Sequence, residues 1–213
     1  MKINGLSLEL ISPALIAVNI ENILSKDFSA IEDSPNSSRF NVPYNFNILG
    51  YNEESEEEDI LIGTIEGAMI ISTFIYDWED EDIVNEFDKI SDENVELHKI
   101  ICKNVKNLDY ISDEDFYYVA RIEIKKEYRN HGIGCCMFPL ILETFEKYLQ
   151  IGLSCIMLKA FPLEYIGKYD ENNTIINKEI EIAEKRLFDF YERVGFKKID
   201  KDKNFMVYRN KRQ

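Results

Sequence analysis

The stretch from Tyr117 to Leu149, YYVARIEIKKEYRNHGIGCCMFPLILETFEKYL, limits what this chain can fold into more than any other part of it. Tyr118 to Ile124 alternates apolar and polar residues and carries Val, Ile and Tyr, which predicts a strand. From Phe138 onward, Ile141, Leu142, Phe145, Tyr148 and Leu149 recur at helical spacing and predict an amphipathic helix. Between the two lies Arg129-Asn130-His131-Gly132-Ile133-Gly134. A strand that turns through glycines into a helix presents free backbone N–H groups at the positive end of the helix dipole. Such a terminus holds phosphate without side chains. Glycine allows a positive φ and close approach of an anion, and Arg129 adds a charged fork. The local chemistry points to a phosphate-bearing ligand.

Two phosphate loops do not match. The P-loop needs Lys-Ser/Thr after its glycine, and Cys135-Cys136 stand there. The dinucleotide fingerprint needs three glycines at fixed spacing, and the first is missing. What remains, R-x-x-G-x-G after a strand, resembles the pyrophosphate loop of the GNAT superfamily of acyl-CoA-dependent N-acyltransferases. Taken alone, it also reads as a glycine-rich turn with a surface arginine. The second half adds to the resemblance. Cys155 to Ala160 reads as a buried strand. Ile180, Ala183, Leu187, Phe190 or Tyr191, and Val194 keep helical period and lead into Gly195-Phe196, with Gly195 placed as a left-handed helix end. This Y-x-x-x-G-F ending is similar to the last helix of the GNAT core, and Asn204 to Tyr208 follows as a closing strand. The resemblance covers roughly residues 44–76 and 116–209.

The resemblance implies an α/β fold of the GNAT type, a central twisted mixed sheet flanked by helices, in one domain over residues 1–213. It implies an N-acetyltransferase that moves an acetyl group from acetyl-CoA directly to a primary amine of a small molecule or protein. A catalytically weak CoA-binding sensor or interaction module is the alternative. Backbone N–H groups near Ile122 to Ile124 would receive the pantetheine arm and thioester oxygen. The loop Arg129, Asn130, His131, Gly132, Ile133 and Gly134 would hold the pyrophosphate. Tyr191 matches the tyrosine that protonates the departing sulfur in many members; its plainer reading is a core aromatic with its hydroxyl at the surface. Glu123 on the central strand is the candidate base, beside Tyr118 earlier on it and Glu164 just beyond the next strand; most strand carboxylates are only solvated, and in the family the amine also loses its proton through water or unaided. Glu184 stands where many members carry an asparagine.

Lys+Arg number 25 and Asp+Glu 40, a net charge of −15. Such a surface predicts no nucleic-acid or anionic-membrane partner and favours a cationic amine acceptor, although solubility accounts for it more simply. The resemblance allows a homodimer. The four cysteines form no disulfide framework, and no metal-ligand pattern involves His98 or His131. Mixed polar residues and Pro13 at the N-terminus give no signal peptide, so a cytoplasmic, reduced protein is expected.

In chain order, Leu6 to Ile23 predicts a strand and a short helix, and 25–44 a loop. Asn45 to Tyr51 and Ile60 to Tyr76 predict two strands around the acidic run 53–59, a solvated hairpin tip. Residues 78–115 form a charged, partly helical insertion that covers an acceptor site, contacts a second copy, or simply decorates the surface. Pro139 should disturb its helix. A nucleophilic role for Cys135 or Cys136 is conceivable at a helix N-terminus, but His131 lies in the same turn and no other base is evident. Tyr165 to Lys178 reads as a long loop.

Overall fold

The computed structural model describes residues 5–11, 41–51, 59–71, 96–97, 99–101, 115–168, 173–199 and 204–210. The strands are β1 (Gly5–Ile11), β2 (Asn41–Pro43), β3 (Asn45–Tyr51), β4 (Ile60–Ile70), β5 (Asp115–Ile124), β6 (Leu153–Lys159), β7 (Lys197–Lys198) and β8 (Phe205–Arg209). Two long helices are α1 (Ile133–Thr144) and α2 (Thr174–Val194). The sheet runs β1-β3-β4-β5-β6-β8-β7, with β2 also on β4. Among the described strands only β5 and β6 are parallel, and α1 is the crossover between them. This mixed sheet flanked by helices is the GNAT-like architecture that the resemblance implies.

Alternation along β5 builds two cores. Tyr117 and Val119 face one side, with Phe46, Ile65, Ile156 and Leu158, against Met137, Phe138, Ile141 and Phe145. Phe116 and Tyr118 face the other, with Ile70, Cys155, Met157, Phe205 and Val207. β6 is buried on both faces, which explains its unbroken apolar run.

The second face is covered in part by the insertion. Residues 96–97 and 99–101 are helical, and Leu97, Ile100 and Ile101 are buried in the second core. Each contributes on the order of 1.5–3 kcal/mol of burial, so this part of the insertion is core and not decoration. Glu96 fastens it to the end of β6 through Lys159 Nζ at 2.8 Å. The rest of 78–114, the helix expected after Ile11, the acidic run 53–58 and the strand end 72–76 lie outside the described residues.

Two expectations about helices change. The segment before the last helix is not loop to Lys178: α2 begins at Thr174. Asn173 caps it, its Oδ1 accepting from Ile176 N at 3.2 Å. Asn173-Thr174, which reads as punctuation, is here the helix start, since asparagine is a preferred N-cap. Helix α1 runs through Pro139, which is exposed. Its chain continues in a single π-helical turn, Phe145–Leu149.

The end of α2 is as expected. Gly195 has φ 116, Gly195 N donates to Glu192 O at 3.1 Å, and Phe196 N to Tyr191 O at 3.0 Å. The Phe196 ring folds back on Tyr191, centroids 5.3 Å apart. Those two bonds and that ring contact are a Schellman motif.

Candidate functional site

The central feature is a parting of β5 and β6. Their ladder runs from Asp115↔Leu153 to Val119↔Leu158 and stops. β5 nevertheless continues to Ile124, paired on its other edge with β4 through Gly63↔Ile124. A register shift between Glu66 and Gly67 leaves Ala120 as the extra residue on β5, and a bulge of this kind bends a strand. From Ala120 onward, β5 has one ladder edge without a strand among the described residues.

Strand alternation identifies the groups that line this notch. Lys125 N donates to Ile62 O at 2.9 Å, so Lys125 and Glu123 direct their backbone groups toward β4. Ile122 and Ile124 therefore direct theirs into the notch. Arg129 confirms the direction for one carbonyl, because its Nε donates to Ile124 O at 2.8 Å. The N–H groups of Ile122 and Ile124, expected to meet a pantetheine arm, are thus on the open edge. Their side chains pack against the first core.

The chain leaves β5 through a 3-10 turn, Lys126–Tyr128, and enters α1 at Gly132. Asn130 has φ 64 and Gly132 φ 79, both left-handed. His131 Nδ1 lies 2.8 Å from Arg129 O and donates to it in the tautomer protonated there. Helix α1 has no side-chain cap and no acidic residue in its first turn, so its leading N–H groups carry uncompensated positive potential. Lys125, Lys126 and Arg129 are exposed beside it, against one carboxylate, Glu127. This is a basic spot on a chain of net charge −15.

The two glycines of the loop have different reasons. A Cβ on Gly132 would meet nothing within 4 Å, and its left-handed φ is what selects glycine. A Cβ on Gly134 would stand 2.8 Å from the tip of Phe190. Gly134 was expected to serve anion approach. Its demonstrable constraint is instead the contact of α1 with α2. Arg129 also differs from the expected open fork, because Nε is spent on Ile124 and only its two Nη groups point elsewhere.

Tyr191 follows Phe190 on α2, so the Gly134–Phe190 contact sets it close to the loop. Its ring is half-buried, 6.0 Å from Phe138 and 5.2 Å from Phe190 between centroids. Burial pushes its hydroxyl up to about 12. The folded protein holds this proton above the ordinary tyrosine value, so the hydroxyl stays neutral throughout the physiological range. Above pH ~10 the unfolded chain releases the proton first, and stability falls until the folded pKa is passed. Urea unfolding followed from pH 7 to 11 should show this loss above pH ~10, smaller in Tyr191→Phe. An equal loss in both proteins would contradict the assignment.

Glu123 sits on the opposite sheet face from Ile122 and Ile124. It is exposed and bonded to Arg121 Nη2 at 3.0 Å. Because Tyr191 packs on the first core, the two candidate proton carriers lie on opposite faces of β5, with the notch edge between them. Cys135 and Cys136 are exposed. Cys155 is buried, its thiol pushed up to about 12 by burial, and is unsuited to nucleophilic work. Among the described residues, no group of three metal-ligating side chains gathers, and no helix is long and apolar enough to cross a membrane.

No family model matches this chain, and no curated protein does. Solved structures do. An Arabidopsis thaliana NAA60 in complex with acetyl-CoA is 13% identical, covers 96% of this chain and 98% of its own, and has a TM-score of 0.42. A Drosophila melanogaster polyamine N-acetyltransferase is 9% identical over 78% of this chain and 74% of its own, TM-score 0.44. A KacTA–DNA complex is 11% identical over 96% and 93%, TM-score 0.39. That last complex corrects one expectation. The acidic net charge predicts no nucleic-acid partner, yet one of the structures this chain is similar to is solved in an assembly with DNA. Net charge is a whole-surface sum and does not decide what a subunit assembles with.

Proposed function

We propose that this protein is an acyl-CoA-dependent N-acyltransferase, using acetyl-CoA and transferring the acetyl group directly to a primary amine. The observation that carries this reading is the notch. The parting of β5 from β6 leaves the N–H groups of Ile122 and Ile124 facing an open edge, next to the uncapped start of α1. A peptide-like pantetheine arm can pair with such an edge as a short extra strand does. The pyrophosphate would rest on Gly132 to Gly134 with Arg129, Asn130 and His131 around it.

In this reading the thioester lies in the notch, with its oxygen at a β5 N–H that stabilises the oxyanion as the amine attacks. The nitrogen–carbon bond forms, the carbon–sulfur bond breaks, the thiolate takes its proton from the neutral Tyr191 hydroxyl, and the proton that the acylated nitrogen sheds passes to water, from which Tyr191 is reprotonated. The amine must arrive neutral. Glu123 is the carboxylate on the far face, but its bond to Arg121 Nη2 occupies one oxygen and favours proton loss from the amine to water over loss to Glu123. The test is release of free CoA thiol from acetyl-CoA with a panel of primary amines and amine-bearing peptides. Acceptor-dependent release is expected. Binding of CoA without release for any acceptor would favour the sensor reading.

A further inference from the structure

We propose that Glu184 is a positioning residue that holds the β6 side of the notch open, acting through Asn204. This rests on the reading of the notch as the CoA site. A notch needs two walls. β5 is held by its ladder to β4. β6 has to leave β5 after Leu158 while staying fixed elsewhere, and what fixes it is β8, paired through Lys159↔Phe205. One more bond extends this hold past the strand, Ala160 N donating to Asn204 O at 2.9 Å.

Asn204 makes that bond from an unusual backbone. Its φ is 54, left-handed, a region that asparagine enters more readily than other non-glycine side chains and that a local contact favours over the ordinary one. The Asn204 side chain supplies such a contact: its Nδ2 donates to Glu184 Oε1 at 3.2 Å. Glu184 projects from the middle of α2 and is half-buried. It lies seven residues, two helical turns, before Tyr191 on the same face of α2. One helix face thus carries both the candidate acid and the anchor of the strand end. The chain of contacts is Glu184 carboxylate, Asn204 side chain, Asn204 carbonyl, Ala160 amide. The sequence offers Glu184 as a departure from the family pattern, and this chain gives the departure a use.

The experiment pairs two readouts. Amide hydrogen exchange at Ala160 reports the strand end directly, and calorimetric titration with CoA reports the notch. In Glu184→Ala, Ala160 exchange should quicken about tenfold and CoA affinity fall about tenfold. In Glu184→Gln, whose amide oxygen still accepts from Asn204, both should stay within about twofold of the wild type. In Asn204→Gly, which adopts the left-handed backbone freely, adding Glu184→Ala should have no further effect on either readout. Wild type that binds CoA, with a Glu184→Ala variant that binds equally, overturns the positioning role. So does a Gln variant as impaired as Ala, since the carboxylate charge would then act directly. Wild type that binds no CoA overturns the notch reading itself, and Ala160 exchange still tests the link.

Discussion

Tyr191→Phe should lower turnover by about 10²–10⁴-fold, the range for loss of a positioned general acid, and leave CoA affinity within about twofold. The substitution removes one oxygen. The ring keeps its contacts with Phe138, Phe190 and Phe196 at 6.0, 5.2 and 5.3 Å, so the folded structure has little reason to change. Among the described residues the hydroxyl is not one of the buried polar atoms left unsatisfied. Its raised pKa matters to the interpretation. A hydroxyl at about 12 is neutral at assay pH, and a neutral donor beside a departing thiolate is what the step requires. The check is steady-state turnover at saturating acetyl-CoA beside calorimetric CoA titration. A variant with unchanged turnover makes Tyr191 a core aromatic and nothing more.

Gly132→Glu should weaken CoA binding by at least about a hundredfold, equivalent to about 2.7 kcal/mol. Space is not the reason, because a Cβ there meets nothing within 4 Å. Two effects act. The left-handed φ of 79 costs a non-glycine residue roughly 1–2 kcal/mol, which lowers the melting temperature by several degrees. The added carboxylate also occupies the uncapped start of α1, the position that a pyrophosphate would otherwise take, and repels it. Gly132→Asn separates the two. Asparagine tolerates the left-handed region and is neutral, so this variant should fold nearly as well and retain most of the affinity. Equal CoA binding in the Glu variant would mean that the loop is a turn and no phosphate site.

Much of this arrangement is legible in the sequence because it is local. The alternation of Tyr118 to Ile124, the glycines at 132 and 134, and the Gly195-Phe196 helix end each depend on a few neighbouring residues. What escapes the sequence depends on partners far along the chain. Gly134 looks like a phosphate glycine until Phe190 is found against it. Glu184 looks like a lost contact until Asn204, twenty residues on, is found bonded to it. Leu97, Ile100 and Ile101 keep a helical period but carry no sign of the face they cover, which is set by Phe116 and Tyr118 on β5. The missed start of α2 is different in kind. Asn173 is a local signal, but asparagine marks loops as well as helix caps, and only the structure shows that here it is a cap.

The resemblance points to the N–H groups near Ile122 to Ile124, but the parting of the two strands that opens them is seen only in the structure. Nothing in the local pattern of β5 says that β6 will leave it at Val119. That follows from the extra residue at Ala120 and from the hold of β8 on β6.

The central claim is that the notch and the α1 terminus together hold coenzyme A. It is tested most directly by thermal unfolding of the full chain with acetyl-CoA, CoA and ATP in parallel. A ligand that binds only the native state, at a hundredfold excess over its Kd, adds about 2.7 kcal/mol of stability and several degrees of melting temperature. Stabilisation by acetyl-CoA and CoA but not by ATP is the expected result, since ATP brings phosphates without a pantetheine arm for β5. No shift with any of the three would contradict the account, and equal shifts with all three would leave a phosphate site without the notch.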